Sequence, residues 1–430
     1  MDPVLLTTFG TLIVLLIFTV PIGVSIGTAV FMGMMVGGLP PVFLAQKMYS
    51  ALDSFPLLAV PFFIVAGDIM QKGTIANSLL AVSRCLVGHI KGGMAHISIL
   101  TSLFYGALSG SAAATVAAVG GIMIPAMEEE GYPKEFATAV NSTSGCLGIM
   151  IPPSIPLILF GSTAGVSISD LFVATIVPGI LMGCALMLVS YVICVRRKYG
   201  KTVARAKFAE MMKALYEAKW AIMVPVIVLG GIYGGIFTAT EAGAISALYG
   251  LIYYFINKRI NKDRVSGNLK DMMLFTISLS GVILLIMAFA NIACKALAFS
   301  GISQQLVTLI TENIKSPIVF LLIVNVLFII CGMFIDSNAA ILLFVPLLTP
   351  IADAYGIDQV QMAGIILVNL CMGAISPPFC VNVFVTTKLK KTQYVEVIHY
   401  IWPFLGSCVL VLILMMFIPG LSTWLPTALR

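Results

Sequence analysis

Two long apolar stretches of this 430-residue chain repeat each other at an offset of 225 residues, each broken by small polar residues and by a Pro-Pro pair. Pro125, Gly131, Gly148, Pro152 and Pro153 match Pro350, Gly356, Gly373, Pro377 and Pro378. The first stretch holds Ser109-Gly110-Ser111, then Pro125, then the run from Gly148 through Pro152-Pro153 to Ser154. The second holds Asp336-Ser337-Asn338, then Pro350, then Gly373 through Pro377-Pro378. Irregular backbone survives at membrane depth only where protein or a water-filled cavity satisfies the freed polar groups. Broken spans at corresponding places in two halves therefore point to a transport site between them.

With 60% hydrophobic and 10% charged residues and a mean hydropathy of +1.07, the chain carries more apolar surface than a soluble domain of this length can bury. The formal net charge of +6 does not indicate nucleic acid, because Lys and Arg fall in short gaps between apolar runs and read as topology signals. Nine cysteines (85, 146, 184, 194, 294, 331, 371, 380 and 408) lie scattered in apolar segments, with no CxxC and no histidine at metal-ligand spacing. Free thiols packed among helices are expected. Met1-Asp2-Pro3 sets no basic segment ahead of the first apolar run, so that run is expected to remain as a span with an exterior N-terminus.

A span needs about 20 apolar residues. Spans are accordingly expected at 4–20, 22–38 and 55–80, then a basic loop from Arg84 to Lys91, a re-entrant hairpin over 94–125, a helix over 136–165 broken at Pro152-Pro153, and a span at 171–195. These make up a first repeat, 1–195. Residues 196–219 follow as a cytoplasmic arm, in which Ala204, Phe208, Met211, Met212 and Leu215 recur at helical spacing among charges between Lys201 and Lys219. That is the pattern of an amphipathic interfacial helix, and it fits a brace for a moving part and a plain linker equally.

The second repeat, 220–430, reads as spans at 220–235 and 238–257, a basic loop from Lys258 to Lys270 and a span at 272–298. A second hairpin over 317–350, a broken helix over 359–387 ending at Lys388, Lys390 and Lys391, and a last span at 401–418 complete it. Holding the basic segments at the cytoplasmic face inverts one repeat against the other and leaves both termini outside. It also places about nineteen of the twenty-four Lys and Arg residues inside, with Trp220, Trp402 and Trp424 near span ends. The expected fold is an all-α polytopic membrane protein of two inverted repeats, each with a re-entrant hairpin and a Pro-Pro-broken helix.

Unpaired carbonyls in lipid cost several kcal/mol each unless something binds them. The carbonyls freed between Gly148 and Pro152 and between Gly373 and Pro377 are candidate Na⁺ ligands, joined by Ser109, Gly110 and Ser111 at the first tip and by Asp336, Ser337 and Asn338 at the second. Helix N-termini at the tips and after the breaks suit a substrate carboxylate, with Ser111, Ser154, Asn338 and Asn382 as side-chain donors. Taken singly, each of these residues has an ordinary structural role, since Ser and Gly let membrane helices pack closely. As a registered pair of sets they point to a site. Asp336 stands out as an ionisable group inside an apolar hairpin, with three roles open to it: ion ligand, proton carrier or helix cap. Glu241, by contrast, closes a capping box with Thr238.

The stretch Gly235-Ile236-Phe237-Thr238-Ala239-Thr240-Glu241-Ala242, the segment Leu108-Ser109-Gly110-Ser111, the run from Gly148 to Pro156 and the order of elements together resemble the large membrane (M) subunit of TRAP transporters. The resemblance to these tripartite ATP-independent periplasmic transporters, members of the ion transporter superfamily, covers essentially the whole chain. It implies an elevator-type secondary transporter of the bacterial inner membrane, driven by Na⁺ at two or more sites. The cargo it implies is an organic acid anion, of the sialic acid or C4-dicarboxylate type, handed over by a periplasmic binding protein. A small four-helix membrane subunit is then expected as a separate chain. Ser-Gly-Ser at one tip against Asp-Ser-Asn at the other argues that two Na⁺ sites are not equivalent. Alternatives are a stand-alone divalent-anion/Na⁺ symporter of related fold and a structural or channel-forming subunit. An intramembrane hydrolase is disfavoured, because there is no GxSxG and only three histidines, His89, His96 and His399.

Overall fold

The computed structural model describes residues 3–38, 40–71, 75–201, 204–260, 268–299, 302–390 and 392–429. Met1 and Asp2, most of the Lys258 to Lys270 loop, Lys391 and the side chains of Lys390 and Cys294 lie outside them. Every regular element among the described residues is a helix, as lipid demands of a chain that must pair its own backbone groups.

The chain opens with the packed pair α1 (Pro3–Ile17) and α2 (Ile22–Val36). It then runs α3 (Pro41–Leu52), α4 (Ala59–Gln71), α5 (Ile75–Val87), the hairpin helices α6 (Gly93–Ser109) and α7 (Ala112–Glu129), the broken span α8 (Lys134–Ser144), α9 (Leu147–Met150) and α10 (Ile155–Ala164), and α11 (Ile168–Arg197). Helices α12 (Phe208–Glu217), α13 (Lys219–Tyr233) and α14 (Ala239–Ile260) follow. The chain continues through α15 (Leu269–Phe299), α16 (Ile302–Asn313), the hairpin α17 (Pro317–Phe334) and α18 (Ser337–Ala354), the broken span α19 (Gln359–Ile375) and α20 (Val381–Lys390), then α21 (Tyr394–Phe417) and α22 (Gly420–Leu429). Among the described residues, six helices are long and apolar enough to cross a membrane, or nine with each bent pair taken as one span.

The 225-residue offset holds at the level of elements. The limits of α7 and α18 differ by 225 at both ends, as do the start of α8 from the start of α19 and the end of α9 from the end of α19. At the centre the relation becomes physical contact. The Cys146 thiol donates to the Cys371 carbonyl at 3.2 Å, and the Cys371 thiol donates to the Cys146 carbonyl at 3.3 Å. One bond made in both directions by equivalent residues marks the point where a two-fold relation passes through the molecule. Around it the repeats interlock, for α10 packs on α18 and α20 packs on α7. The seam between them also carries hydroxyl pairs, Ser142 with Thr386 at 2.6 Å and Thr138 with Thr392 at 3.3 Å.

Several limits differ from those expected. The stretch 55–80 is not one span: residues 55–71 join α3 across a 64° bend, and α5 is separate. Helix α5 continues to Val87, so Arg84 is helical rather than in a loop. The arm begins later than the charge pattern suggests. Glu210 accepts the Lys207 backbone N–H at 3.0 Å and so caps the helix there, and a 69° bend separates α12 from α13. Helices α3, α16 and α22 were not expected; at 12, 12 and 10 residues they are too short to register as spans. The eight described cysteines are free, seven of them buried or partly buried and Cys184 exposed.

Candidate functional site

The two hairpin tips face one cavity of about 840 Å³. Gly110 and Ser111 reach it from the first tip, Asp336, Ser337 and Asn338 from the second, Ile149 and Ile155 from either side of the first break, and Asn382 from just beyond the second. The facing wall is apolar and comes largely from α15 through Phe275, Leu279, Ile283 and Ile286.

Close backbone approach seats each tip on its break. Gly110 has φ +57°, and a Cβ there would stand 2.7 Å from the Pro153 carbonyl oxygen, so glycine is required on both counts. In the second repeat the main chains of Gly332 and Gly373 meet so closely that a Cβ on Gly373 would lie 2.6 Å from the Gly332 Cα. Pro152-Pro153 and Pro377-Pro378 are both cis.

At the first tip Ser111 is the N-cap of α7, its hydroxyl accepting the Ala114 N–H at 3.5 Å, while its carbonyl accepts the Thr115 hydroxyl at 2.8 Å. Ser109 is buried, and its hydroxyl pairs with Thr115 at 2.9 Å, inside the turn. At the second tip Asp336 is the N-cap of α18; its carboxylate accepts the Asn338 N–H at 2.9 Å and is otherwise exposed to the cavity. Asn338 keeps its side-chain oxygen buried without a partner among the described residues.

Ser111 and Asp336, 225 residues apart and both N-caps, are thus the equivalent pair. The sequence pairing of Ser109-Gly110-Ser111 with Asp336-Ser337-Asn338 is shifted by two: the counterpart of Asp336-Ser337-Asn338 is Ser111-Ala112-Ala113. The asymmetry of the tips is therefore sharper than expected, a carboxylate and two polar side chains facing one hydroxyl and two methyl groups.

Of the remaining candidates, all but Asn382 sit one layer back. Gly148 abuts the Ser111 carbonyl and the Thr115 hydroxyl. Ser154 is fully buried and donates to the Ile149 carbonyl at 2.7 Å, so its hydroxyl already satisfies a carbonyl freed at the break. The Gly373 carbonyl accepts the Ser376 N–H at 3.1 Å and retains one lone pair. Pro152 is buried and Pro377 half-buried. Asn382 bridges the repeats, donating to the Ser142 carbonyl and to the Cys146 sulfur, each at 3.3 Å, while lining the cavity.

Two groups escape the sequence reading, Thr115 buried behind the first tip and Asp68 on the cavity wall. Thr115 needed the structure, since only the turn brings it back to Ser109. Asp68 on α4 did not: it is a buried carboxylate within the apolar stretch 55–80, and the rule that singled out Asp336 applies to it equally.

Known proteins share this framework. The sequence model of the family described as "Tripartite ATP-independent periplasmic transporter, DctM component" matches residues 9–421. An isethionate TRAP transporter permease, DctMQ, of Oleidesulfovibrio alaskensis is 37% identical over 96% of this chain, which spans 65% of that protein's length. The C4-dicarboxylate TRAP transporter large permease DctM of Pseudomonas aeruginosa is 36% identical, with 89% of each chain covered. The sialic acid large permease SiaM of Vibrio cholerae is 34% identical, again with 89% of each covered. In fold, the chain resembles the crystal structure of the YdaH transporter of Alcanivorax borkumensis, with a TM-score of 0.60 over 88% of each chain at 18% identity.

Proposed function

We propose, on the premise that this chain belongs to the DctM component family of tripartite ATP-independent periplasmic transporters, that it imports an organic acid anion by Na⁺-coupled elevator transport. The observation that carries this reading is the meeting of two equivalent N-capped tips, Ser111 and Asp336, in a single cavity. Free N–H groups in the first turns of α7 and α18 would face a substrate oxyanion there, where the helix ends carry partial positive charge. Ser111, Asn338 and Asn382 would supply the side-chain contacts. Ser154, held by Ile149, would shape the break from behind.

The oxygens around the tips suit a hard cation, being carbonyls, hydroxyls and one carboxylate. Na⁺ would be held by Ser109, Gly110 and Ser111 with the backbone from Gly148 to Pro152, and by Asp336, Ser337 and Asn338 with the backbone from Gly373 to Pro377. The orphaned Asn338 oxygen fits such a ligand set. Bound cation would offset the Asp336 charge and let an anion share the cavity.

The interlocked hairpins and broken spans would travel as one unit, while α1, α2, α13 and α14 stay fixed and α12 braces the two. The partners would be a small four-helix membrane subunit and a periplasmic binding protein, in the bacterial inner membrane with both chain termini outside. The cargo type is sialic acid, C4-dicarboxylate or a related oxyanion, as the names of the relatives suggest. Reconstitution with both partners tests the reading: uptake of labelled succinate, N-acetylneuraminate or isethionate should require an inward Na⁺ gradient. Equal uptake without the binding protein would favour the stand-alone symporter, and non-saturable flux without exchange a channel.

A further inference from the structure

One face of α15 lines two cavities in succession. Phe275, Leu279, Ile283 and Ile286 wall the large cavity; the following turns, Met287, Asn291 and Lys295, wall a second one of about 110 Å³. Leu342 of α18 belongs to both linings, so a side chain of the second hairpin stands between them. Thr163, at the end of α10, completes the polar part of the small cavity.

After Lys270 and Asp271 in its first turn, α15 carries no charge until Lys295, and an ionisable group within such an apolar run is costly and marks a pathway. Among the described residues no carboxylate forms an ion pair with Lys295. The Asn291 side-chain oxygen beside it is buried and without a partner among the described residues. The Thr163 hydroxyl is already given to the Leu159 carbonyl at 2.6 Å. The donors left to this space of a few water volumes are the Lys295 ammonium and the Asn291 NH2, which suit an oxyanion headgroup, carboxylate or sulfonate, while the Asn291 oxygen is an acceptor. The position equivalent to Lys295 in the first repeat is Met70, which is buried and apolar, so the feature belongs to one side only.

We propose that Lys295 and Asn291 form an exterior oxyanion station, which meets the cargo when the second hairpin and its Leu342 stand higher along α15. This rests on the transport reading above, with the basic segment before α15 at the cytoplasmic face. From Ile286 to Lys295 the helix rises roughly 13 Å, at about 1.5 Å per residue. The station then receives the cargo from the binding protein and passes it to the tips, and the second hairpin, Leu342 with it, carries it along α15 to the level of Phe275 to Ile286.

The complete transporter tests this with labelled succinate, N-acetylneuraminate and isethionate. For a probe that the wild type carries, Lys295→Gln should raise the half-saturation concentration about tenfold or more at near-normal maximal rate, the loss of one charge-assisted contact, and Lys295→Arg should recover most of it. An unchanged half-saturation concentration, or equal loss in both variants, overturns the station. A second arm needs no cargo. Lys295→Cys, with the wild type as background, should be labelled by membrane-impermeant sulfonatoethyl methanethiosulfonate in right-side-out but not inside-out vesicles. Labelling from the inner side, or from neither, overturns the placement. Failure of the wild type to carry any probe would count against the transport reading itself, while the labelling arm still decides where Lys295 lies.

Discussion

Replacing Gly110 by Ala should damage the site far more than the same change at Gly131 or Gly356. All three glycines have left-handed backbone, φ +57°, +85° and +68°. A side chain there costs about 1–2 kcal/mol in each case. The surroundings differ: nothing lies within 4 Å of a Cβ on Gly131 or Gly356, whereas at Gly110 it would meet the Pro153 carbonyl oxygen at 2.7 Å, the Ile155 nitrogen at 3.3 Å and the Ser154 Cα at 3.3 Å. These are backbone atoms of the broken span, which cannot swing aside as a side-chain tip would. Overpacking of this kind costs about a further 1–3 kcal/mol. The tip would lift off the break, pulling Ser111 from its place in the cavity wall. At about 1.4 kcal/mol per decade, the steric part alone corresponds to at least about a fivefold rise in the Na⁺ concentration for half-maximal uptake. The assay is Na⁺-dependent uptake in proteoliposomes alongside thermal unfolding of the purified variants. Gly110→Ala matching Gly131→Ala within a factor of about two would refute the seating of the tip on Pro153.

Asp336→Asn or Asp336→Ala should weaken Na⁺-dependent uptake more than it lowers expression, and unchanged Na⁺ dependence in reconstituted vesicles would remove Asp336 from the ion site. Cys146→Ala should destabilise the protein more than Cys371→Ala, because each removes one thiol of the reciprocal contact and Cys146→Ala also leaves the Asn382 amide without its sulfur acceptor. The double variant should fall short of the sum by about 0.5 kcal/mol or more, read as non-additivity in chemical unfolding. Strict additivity would mean that the two bonds are independent.

Much of this architecture can be read from the residues alone, because its signals are covalent in origin. Pro152-Pro153 and Pro377-Pro378 interrupt helices wherever they fall, and the repeat offset carries the hairpins with them. Helices α3, α16 and α22 left too little apolar length to be seen, and their places are set by packing. The pairing of the tips slipped by two residues because Ser-Gly-Ser and Asp-Ser-Asn look alike as polar triplets, whereas register is fixed by which residue caps the following helix. Ser154 was given a donor role toward substrate, but its rotamer turns to the Ile149 carbonyl, a choice that depends on a backbone bend. Asp68 and Lys295 are legible in the residues themselves, but each is a single charge inside a run whose average hydropathy conceals it.

The crossed packing of α10 on α18 and α20 on α7 has a bearing on biogenesis. As the polypeptide leaves the ribosome, α7 is made long before α20, and until that helix arrives its flank has no native neighbour. Neither half can settle into its final shape alone, so maturation waits on the insertion of nearly the whole chain, and a truncation after α18 should strand the earlier half in a form open to proteolysis.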